Sequence, residues 1–594
     1  MSRRTLAVLD GLGVIALVGL WCAILVPLVS TAASDVRVLG AFQTDEVVQV
    51  NLLGGALRDH TFALRYGSYP HLYFNIALIA LRILGLGRAV TEQDVAITLR
   101  TICVVSGAAT LGLVFVWARR EYGRLAAWFA IAALALNPMI FTWAIYAHPD
   151  TLQLFFLLLA LFASASYYEH PTRRALLLAS AVAGLAFACK YAGVAVLGLL
   201  WPIALWRSPV QDSTAWPSRT FRIATAILAV FCIVASYWLD VPHVAALMTD
   251  DGQLDIPAPE HVVATARWAV DVLGAVLLAA VFWPGCWAAL EHARRMRTVL
   301  RAMTESTAAF VTAFAVASPF SFLHFAVVNG IVYHILQEGL RNQALTTRWA
   351  SFVFDDLGYG IPILAAACAV WILADIVRGR PRSGTDVVLL MWTTLFAGIL
   401  VLPVHLVQPH HMLPMIPALI MMASRCLSDI ATVLRARFHG IGRPATAAAF
   451  GVIALVVLVP FASRFRVDRR QALDRERTSN AIWAGEWLRC HVPPSTRIAY
   501  DQISYVPAVF EQVTPTWNGS LAWLRRTDPD IVIVNHLTTD QFRGDRQAGD
   551  YYRCLEDGTC GFRWIVSRGE IDVYARPERV RPALAVSSRC RGIS

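Results

Sequence analysis

The chain has 594 residues, of which 57% are hydrophobic and only 15% charged, with a mean hydropathy of +0.54 and a formal charge of +10. Soluble proteins carry roughly 25% charged residues, so this composition excludes a soluble globular enzyme, a disordered chain and a nucleic-acid-binding domain. All 51 basic residues but Lys190 are arginines, and where they stand decides what the net charge means.

Apolar runs of about 17–25 residues mark membrane-spanning helices. Thirteen are expected. The first seven are Leu6–Val29, Ile97–Trp117, Leu125–Trp143, Thr151–Tyr168, Ala175–Cys189, Ala192–Trp206 and Ile223–Leu239. Ala269–Leu290, Thr307–Phe325, Leu357–Val377, Val387–His405, Met412–Ile430 and Ala445–Phe461 complete the set. The first run follows Ser-Arg-Arg and has only a marginal cleavage pattern after it, which predicts an uncleaved anchor. One further stretch, Leu72–Leu86, is short and contains Arg82. If it lies in the interface, Arg3, Arg4 and the arginine clusters at 119–124, 173–174, 207–222, 294–301, 378–382 and 435–443 all fall on one side. By the positive-inside rule that side is cytoplasmic. The basic charge is then a topology signal, the amino terminus is inside and the carboxyl end outside. Leu72–Leu86 becomes an amphipathic or re-entrant element on the outer face.

After Phe461 the composition changes: residues 464–594 hold 20 arginines and 16 acids. A helix is expected over Arg469–Cys490, and strands over Arg497–Tyr500, Ile531–Val534, Trp564–Val566 and Ile571–Tyr574. The expected fold is a multi-pass α-helical membrane domain over 1–463, with a long first outer loop at 30–96, followed by a small extracytoplasmic α/β domain over 464–594. Cys554 and Cys560 flank Gly558 and are candidate disulfide partners if the tail lies in an oxidising compartment.

Four groups of residues are candidates to carry chemistry, and under this topology all four face outward. Asp45-Glu46 lies in the first outer loop among apolar neighbours, where a carboxylate is expected to have a raised pKa and to serve as a general base. His148-Pro149-Asp150 lies where one span leaves the membrane and the next begins. Asp150 there is either a helix cap or a site residue. Lys190-Tyr191 ends a span on the side where topology does not place cations, and lysine suits a phosphate. Its bland alternative is a snorkelling lysine. Pro409-His410-His411 sits at a late outer turn. Adjacent histidines do not share a helix face, so as a metal pair they are weak, and bonding to an anion is at least as good an explanation. No cofactor is required; should a divalent metal bind, His148 and Asp150 are the candidate ligands.

These residues resemble the GT-C membrane glycosyltransferases, and most of all the branch of protein O-mannosyltransferases and lipid A aminoarabinose transferases. The resemblance rests on Asp45-Glu46 in the first outer loop and on Tyr66-Gly67-Ser68-Tyr69-Pro70-His71-Leu72-Tyr73-Phe74 before a juxtamembrane helix. Arg119-Arg120, Asn137-Pro138 and Asp150 continue it, as does Gly184-Leu185-Ala186 followed by Lys190. It is good over residues 1–200 and topological over 200–460. The chain departs from the family at His71, where a second proline is usual, and at His410-His411, where Arg-Tyr is common. The resemblance implies a GT-C fold and a sugar transfer, with inversion, from a polyprenyl-phosphate donor to a glycan, lipid or protein acceptor. Asp45 would be the base, with Glu46, Tyr66, His71, His148, Asp150, Lys190, Tyr191, His410 and His411 around the substrates. It also implies a bacterial plasma-membrane location and contact with membrane lipid, but none with nucleic acid. Two other classes compete. A secondary transporter would place charges at mid-membrane and show inverted repeats, and a non-catalytic assembly scaffold would tolerate loss of Asp45 and Lys190.

Overall fold

The computed structural model describes residues 3–64, 69–207, 294–323, 357–380, 382–401, 409–437, 443–501, 503–516, 519–536 and 546–580, with scattered helical positions between 223 and 275 and at 353–354. The spans expected at Ile223–Leu239 and Ala269–Leu290 lie largely outside the described residues.

The membrane part is a helical bundle. Its first ten α-helices are α1 (Arg3–Val29), α2 (Val36–Phe42), α3 (Thr44–Arg58), α4 (Leu72–Gly85), α5 (Glu92–Tyr122), α6 (Arg124–Ala135), α7 (Pro138–Ala144), α8 (Asp150–Glu169), α9 (Arg173–Cys189) and α10 (Ala195–Arg207). They are followed by α11 (Arg294–Ala317), α12 (Gly360–Val377), α13 (Gly384–Val401), α14 (Ile416–Arg437) and α15 (Arg443–Thr478). Among the described residues, seven helices are long and apolar enough to cross a membrane, or eight if the bent pair α6–α7 is one span. The chain is an integral membrane protein.

The local sequence explains where the helices break. The run Leu125–Trp143, expected as one span, is two helices bent by 57°. Pro138 has no N–H to continue the ladder, and the Asn137 side chain accepts from the Ile140 N–H at 3.1 Å to start α7 afresh. Helix α4 is 14 residues long, about 21 Å at 1.5 Å per residue and too short to cross. It buries Tyr73, Phe74, Ala77, Leu78 and Leu81 on one face, while Ile79 and Ile83 point outward. Arg82 at its far end donates to the Thr61 carbonyl at 2.9 Å and lies 3.9 Å from the centre of the Phe62 ring.

One end of the bundle is laced by arginines. Asp10 of α1 is fully buried and takes Arg119 at 2.8 Å and Arg124 at 2.7 Å from the α5–α6 turn. Glu169, ending α8, meets Arg120, and Glu305 of α11 meets Arg173 at 2.6 Å. The residues expected to carry chemistry gather at the opposite end of α8, which begins at Asp150.

Helix α15 runs unbroken through residue 464, where the composition changes, to Thr478. Ser479 then caps α16 (Asn480–His491), so the helix expected over Arg469–Cys490 is interrupted. The sheet that follows consists of β1 (Ile498–Asp501), β2 (Val513–Thr516), β3 (Ile531–Asn535), β4 (Arg563–Arg568) and β5 (Ile571–Ala575), in the order β2-β1-β3-β5-β4. β1 pairs in parallel with β2 and β3, while β5 is antiparallel to β3 and to β4. β2 was not among the expected strands. It reads Val-Thr-Pro-Thr, and a proline is tolerated there because the strand is at the edge. One face of the sheet packs on Trp483 and Leu488 of α16, together with Ala41 of α2. The other packs on Tyr551, Tyr552 and Leu555 of the helix Arg546–Glu556. Cys554 and Cys560 are disulfide-bonded, their Cα atoms 5.4 Å apart, around Gly558 at φ +71°.

Helices α9 and α11 approach closely because Gly184 has no side chain. A Cβ there would meet the Phe310 carbonyl oxygen and Ala313. Gly184→Val is expected to force the two helices apart and cost about 1–3 kcal/mol, read as a lower midpoint of thermal unfolding in detergent.

Candidate active site

The site is built on the first turns of α5. Arg100 points from that helix into the protein, and its side chain is 4% exposed. Its Nε donates to Glu46 Oε1 at 2.9 Å and its Nη2 to Glu46 Oε2 at 2.7 Å. Its Nη1 serves the carbonyls of Val29 and Thr31 at 3.0 and 2.6 Å. Glu46 Oε1 also accepts from the Ala147 N–H. Three residues on from Arg100 and on the same helix face, the Cys103 thiol donates to the His148 carbonyl at 3.2 Å. Two positions of α5, one turn apart, thus fix both the start of α3 and the 145–149 segment.

On that frame the charged side chains form a chain of contacts. Asp45 Oδ2 lies 3.1 Å from His148 Nε2. His148 Nδ1 meets Asp150 Oδ2, and Asp150 Oδ1 accepts from Lys190 Nζ at 2.8 Å. The Tyr69 hydroxyl joins the first contact, 3.2 Å from His148 Nε2 and 3.5 Å from Asp45 Oδ2. Lys190 Nζ lies 5.4 Å from the centre of the Tyr69 ring. Trp143 forms a wall, with its ring 4.9 Å from that of His148 and 4.5 Å from that of His410. His148 is fully buried and Asp150 is 5% exposed, while Lys190 is 17% and Asp45 39% exposed, so the chain of charges is most open at Asp45.

Each position follows from local sequence. Gln43 is extended, at φ −156° and ψ 110°, so Asp45 sits in the first turn of a new helix, where the helix dipole favours a carboxylate. Asp150 does not cap α8: Pro149 holds the cap position, and the Asp150 side chain goes to His148 and Lys190 instead. Lys190 closes α9 with extended backbone, its carbonyl accepting from Gln153 Nε2 at 2.8 Å.

The electrostatics differ from expectation at Asp45. Burial would raise its carboxyl, but the hydrogen bond and charge of His148 and the charge of Lys190 outweigh burial and lower the pKa. Burial would lower His148, but the charge and hydrogen bond of Asp150 and the bond to Asp45 outweigh it and raise the pKa. His410 is held well below the usual histidine value by its burial and by the neighbouring His411 and Lys190 charges.

Asp45, His148, Asp150, Lys190 and His410 are therefore brought together from four separate stretches of the sequence. Glu46 is not available to a substrate, since Arg100 and Ala147 take both of its oxygens. His411 is half-buried beside His410. His71 is buried, with its backbone N–H donating to Ser318 Oγ at 2.8 Å. Tyr191 packs on Phe187 at 5.9 Å, and Tyr66 lies outside the described residues. Among the described residues no group of three or more His, Cys, Asp and Glu side chains fits a metal ion. His148 Nδ1 and Asp150 Oδ2 face each other. Sequence reasoning missed Arg100 and Tyr69. Arg100 had a signal, a cation inside an apolar run; Tyr69 had only its place among other aromatics.

Glu46→Gln removes the charge that neutralises buried Arg100. It is expected to cost about 3–5 kcal/mol, the usual penalty for breaking a buried pair from one side. Asp45→Asn next to it removes the carboxylate that faces the buried His148 ring but is itself partly exposed, so it is expected to lower the unfolding midpoint by less than Glu46→Gln, measured on the same detergent-solubilised protein.

Comparison with known proteins places this geometry in context. Residues 77–238 match the family model of the dolichyl-phosphate-mannose-protein mannosyltransferases. No curated protein matches. Among solved structures the chain is similar to ArnT from Cupriavidus metallidurans, determined bound to undecaprenyl phosphate, at 14% identity and a TM-score of 0.42, over 98% of this chain and 99% of that one. It is also similar to the archaeal oligosaccharyltransferase AglB from Archaeoglobus fulgidus, determined with an inhibitory peptide and a dolichol-phosphate, at 13% identity and a TM-score of 0.47, over 95% of this chain and 75% of that one. The stretch that holds Arg100, His148, Asp150 and Lys190 is thus similar in sequence to the dolichyl-phosphate-mannose-protein mannosyltransferases, in keeping with the GT-C resemblance of the motifs.

Proposed function

We propose that this protein is a GT-C-type membrane glycosyltransferase that moves a sugar from a polyprenyl-phosphate donor to an acceptor at the outer face of a bacterial plasma membrane. One observation carries the reading: a buried relay of alternating charge, Lys190–Asp150–His148–Asp45, surfaces at a single half-exposed carboxylate. The sequence match over residues 77–238 supports the donor class. The arginine distribution supports an outward-facing site, a cytoplasmic amino terminus and a C-terminal domain outside.

In this mechanism Asp45 accepts the proton of the acceptor hydroxyl as that oxygen attacks the anomeric carbon. The bond from that carbon to the phosphate oxygen breaks, and the configuration inverts. His148, as imidazolium, and Tyr69 hold Asp45 Oδ2, which leaves Oδ1 for the acceptor. Lys190 has three N–H donors, and Asp150 takes one of them. The others are available to the charge that grows on the departing phosphate. Because Asp45 is a stabilised, weak base, proton transfer falls late along the reaction, when the attacking oxygen has become acidic. Asp150 sets the position and charge of both His148 and Lys190.

The test is release of free polyprenyl phosphate from a synthetic polyprenyl-phosphate sugar, followed by mass spectrometry on purified protein. Asp45→Asn is expected to cut transfer by about 10²–10⁴, the usual contribution of a positioned base. Wild-type turnover in that variant sinks the mechanism. The pH profile follows from the two shifts. Asp45 is lowered, so its ionised form persists until the pH falls below the ordinary aspartate value of 3.8. His148 is raised, so its cationic form persists until the pH rises above the ordinary histidine value of 6.5. Transfer should therefore hold between an acid limb below pH 3.8 and an alkaline limb above pH 6.5, measured as initial rate against pH.

A further inference from the structure

The hinge that presents Asp45 is held from the far end of the chain. Arg475 lies in the last turn of α15 and donates from Nη2 to the Phe42 carbonyl at 3.2 Å. Its guanidinium carbon lies 4.5 Å from the centre of the Phe42 ring and 4.8 Å from that of Tyr146. Phe42 ends α2, three residues before Asp45, and Tyr146 stands two residues before His148. One side chain therefore grips both segments that meet in the Asp45–His148 contact. A small cleft lined by Phe42, Ile145, Tyr146 and Thr31 has Arg475 and Arg100 in its walls, so the two guanidiniums brace the same few residues.

The same hinge is tied to the C-terminal sheet. Ala41 of α2 is buried in its core with Trp483 and Phe510. Arg37 of α2 reaches the Val506 carbonyl at 3.5 Å. A planar guanidinium can stack on two rings while it donates in its own plane, which an ammonium cannot reproduce.

We propose that Arg475 is a positioning residue of the site: it clamps Phe42 beside Tyr146 and so transmits the docking of the C-terminal domain to the Asp45–His148 contact. Its kinetic consequence rests on the glycosyl-transfer reading; its structural consequence does not. A shift of about 1 Å in a reacting group costs on the order of 10²-fold in rate. Arg475→Met keeps the stem and removes the guanidinium. It is expected to lower kcat by about 10–100-fold, with the KM for a synthetic polyprenyl-phosphate sugar changed by no more than about twofold. Arg475→Lys should recover part of the loss. Hydrogen exchange supplies the arm that is independent of activity. In Arg475→Met, peptides spanning 43–49 and 145–149 should exchange faster together, while α9 and β3 stay as in the wild type. Unchanged exchange in both peptides, or faster exchange throughout the protein, overturns the proposal. Phe42→Leu and Tyr146→Leu, each combined with Arg475→Met, should be less than additive in kcat, and full additivity also overturns it. If the wild-type protein transfers no sugar, the functional reading fails, and the exchange experiment still decides the clamp.

Discussion

A guanidinium buried near the start of a long apolar helix is the constraint on which the membrane part turns. Taking such a charge out of water costs several kcal/mol unless an opposite charge and further hydrogen bonds replace the lost hydration. Arg100 has no acid on its own helix to do this. Its neutraliser is Glu46, from α3, and its Nη1 donates to carbonyls at and just beyond the end of α1. The segment that holds α2 and α3 is therefore drawn down onto α5 and cannot drift as a solvated loop would. The Ala147 N–H on Glu46 and the Cys103 thiol on the His148 carbonyl extend the same constraint to the next helix junction. Asp45 and His148 meet because both are anchored to one stretch of α5.

The charges beyond that anchor alternate in sign. A buried carboxylate between two cations is stabilised twice, and each cation is stabilised by the carboxylates beside it. This explains why Asp150, at the start of an apolar helix, is not used as a cap, and why Lys190 can stand at a helix end with no other lysine in the chain. Such a relay holds a fixed charge pattern through direct side-chain contacts. That preorganisation is what a transition state with developing charge requires.

The sequence carried much of this, though unevenly. Helix positions were legible wherever an apolar run was long, as in α1, α5 and α8, since hydropathy alone determines them. The break at Asn137-Pro138 was visible as residues but not read as a bend, because the apolar run continues across it. Asp45, His148, Asp150, Lys190 and His410 were legible through a single inference: arginines fix the topology, and topology puts all five on one face. The role of Glu46 was not legible, since nothing in an Asp-Glu pair says which acid turns inward. That depends on Arg100, 54 residues away. The sign of the Asp45 shift was missed for a related reason. Apolar neighbours in sequence argue for a raised value, but the cations that reverse it arrive from residues 148 and 190. Strand β2 was lost because its proline argues against a strand, and only its place at a sheet edge makes the proline acceptable.

The wide sequence spacing of the relay bears on how the protein is made. His148 follows Asp45 by 103 residues. At about 5–20 residues per second, synthesis takes on the order of 5–20 s to cover that distance. During that interval Asp45 has no His148 to meet, and Glu46 can settle only when Arg100 has left the ribosome. His410 comes later still. Asp45 and Glu46 are thus made before the cations that face them, and the contacts between them form only once the later segments have been made. The order of residues along the gene therefore delays the Asp45–His148 contact until the helices that frame it have been made.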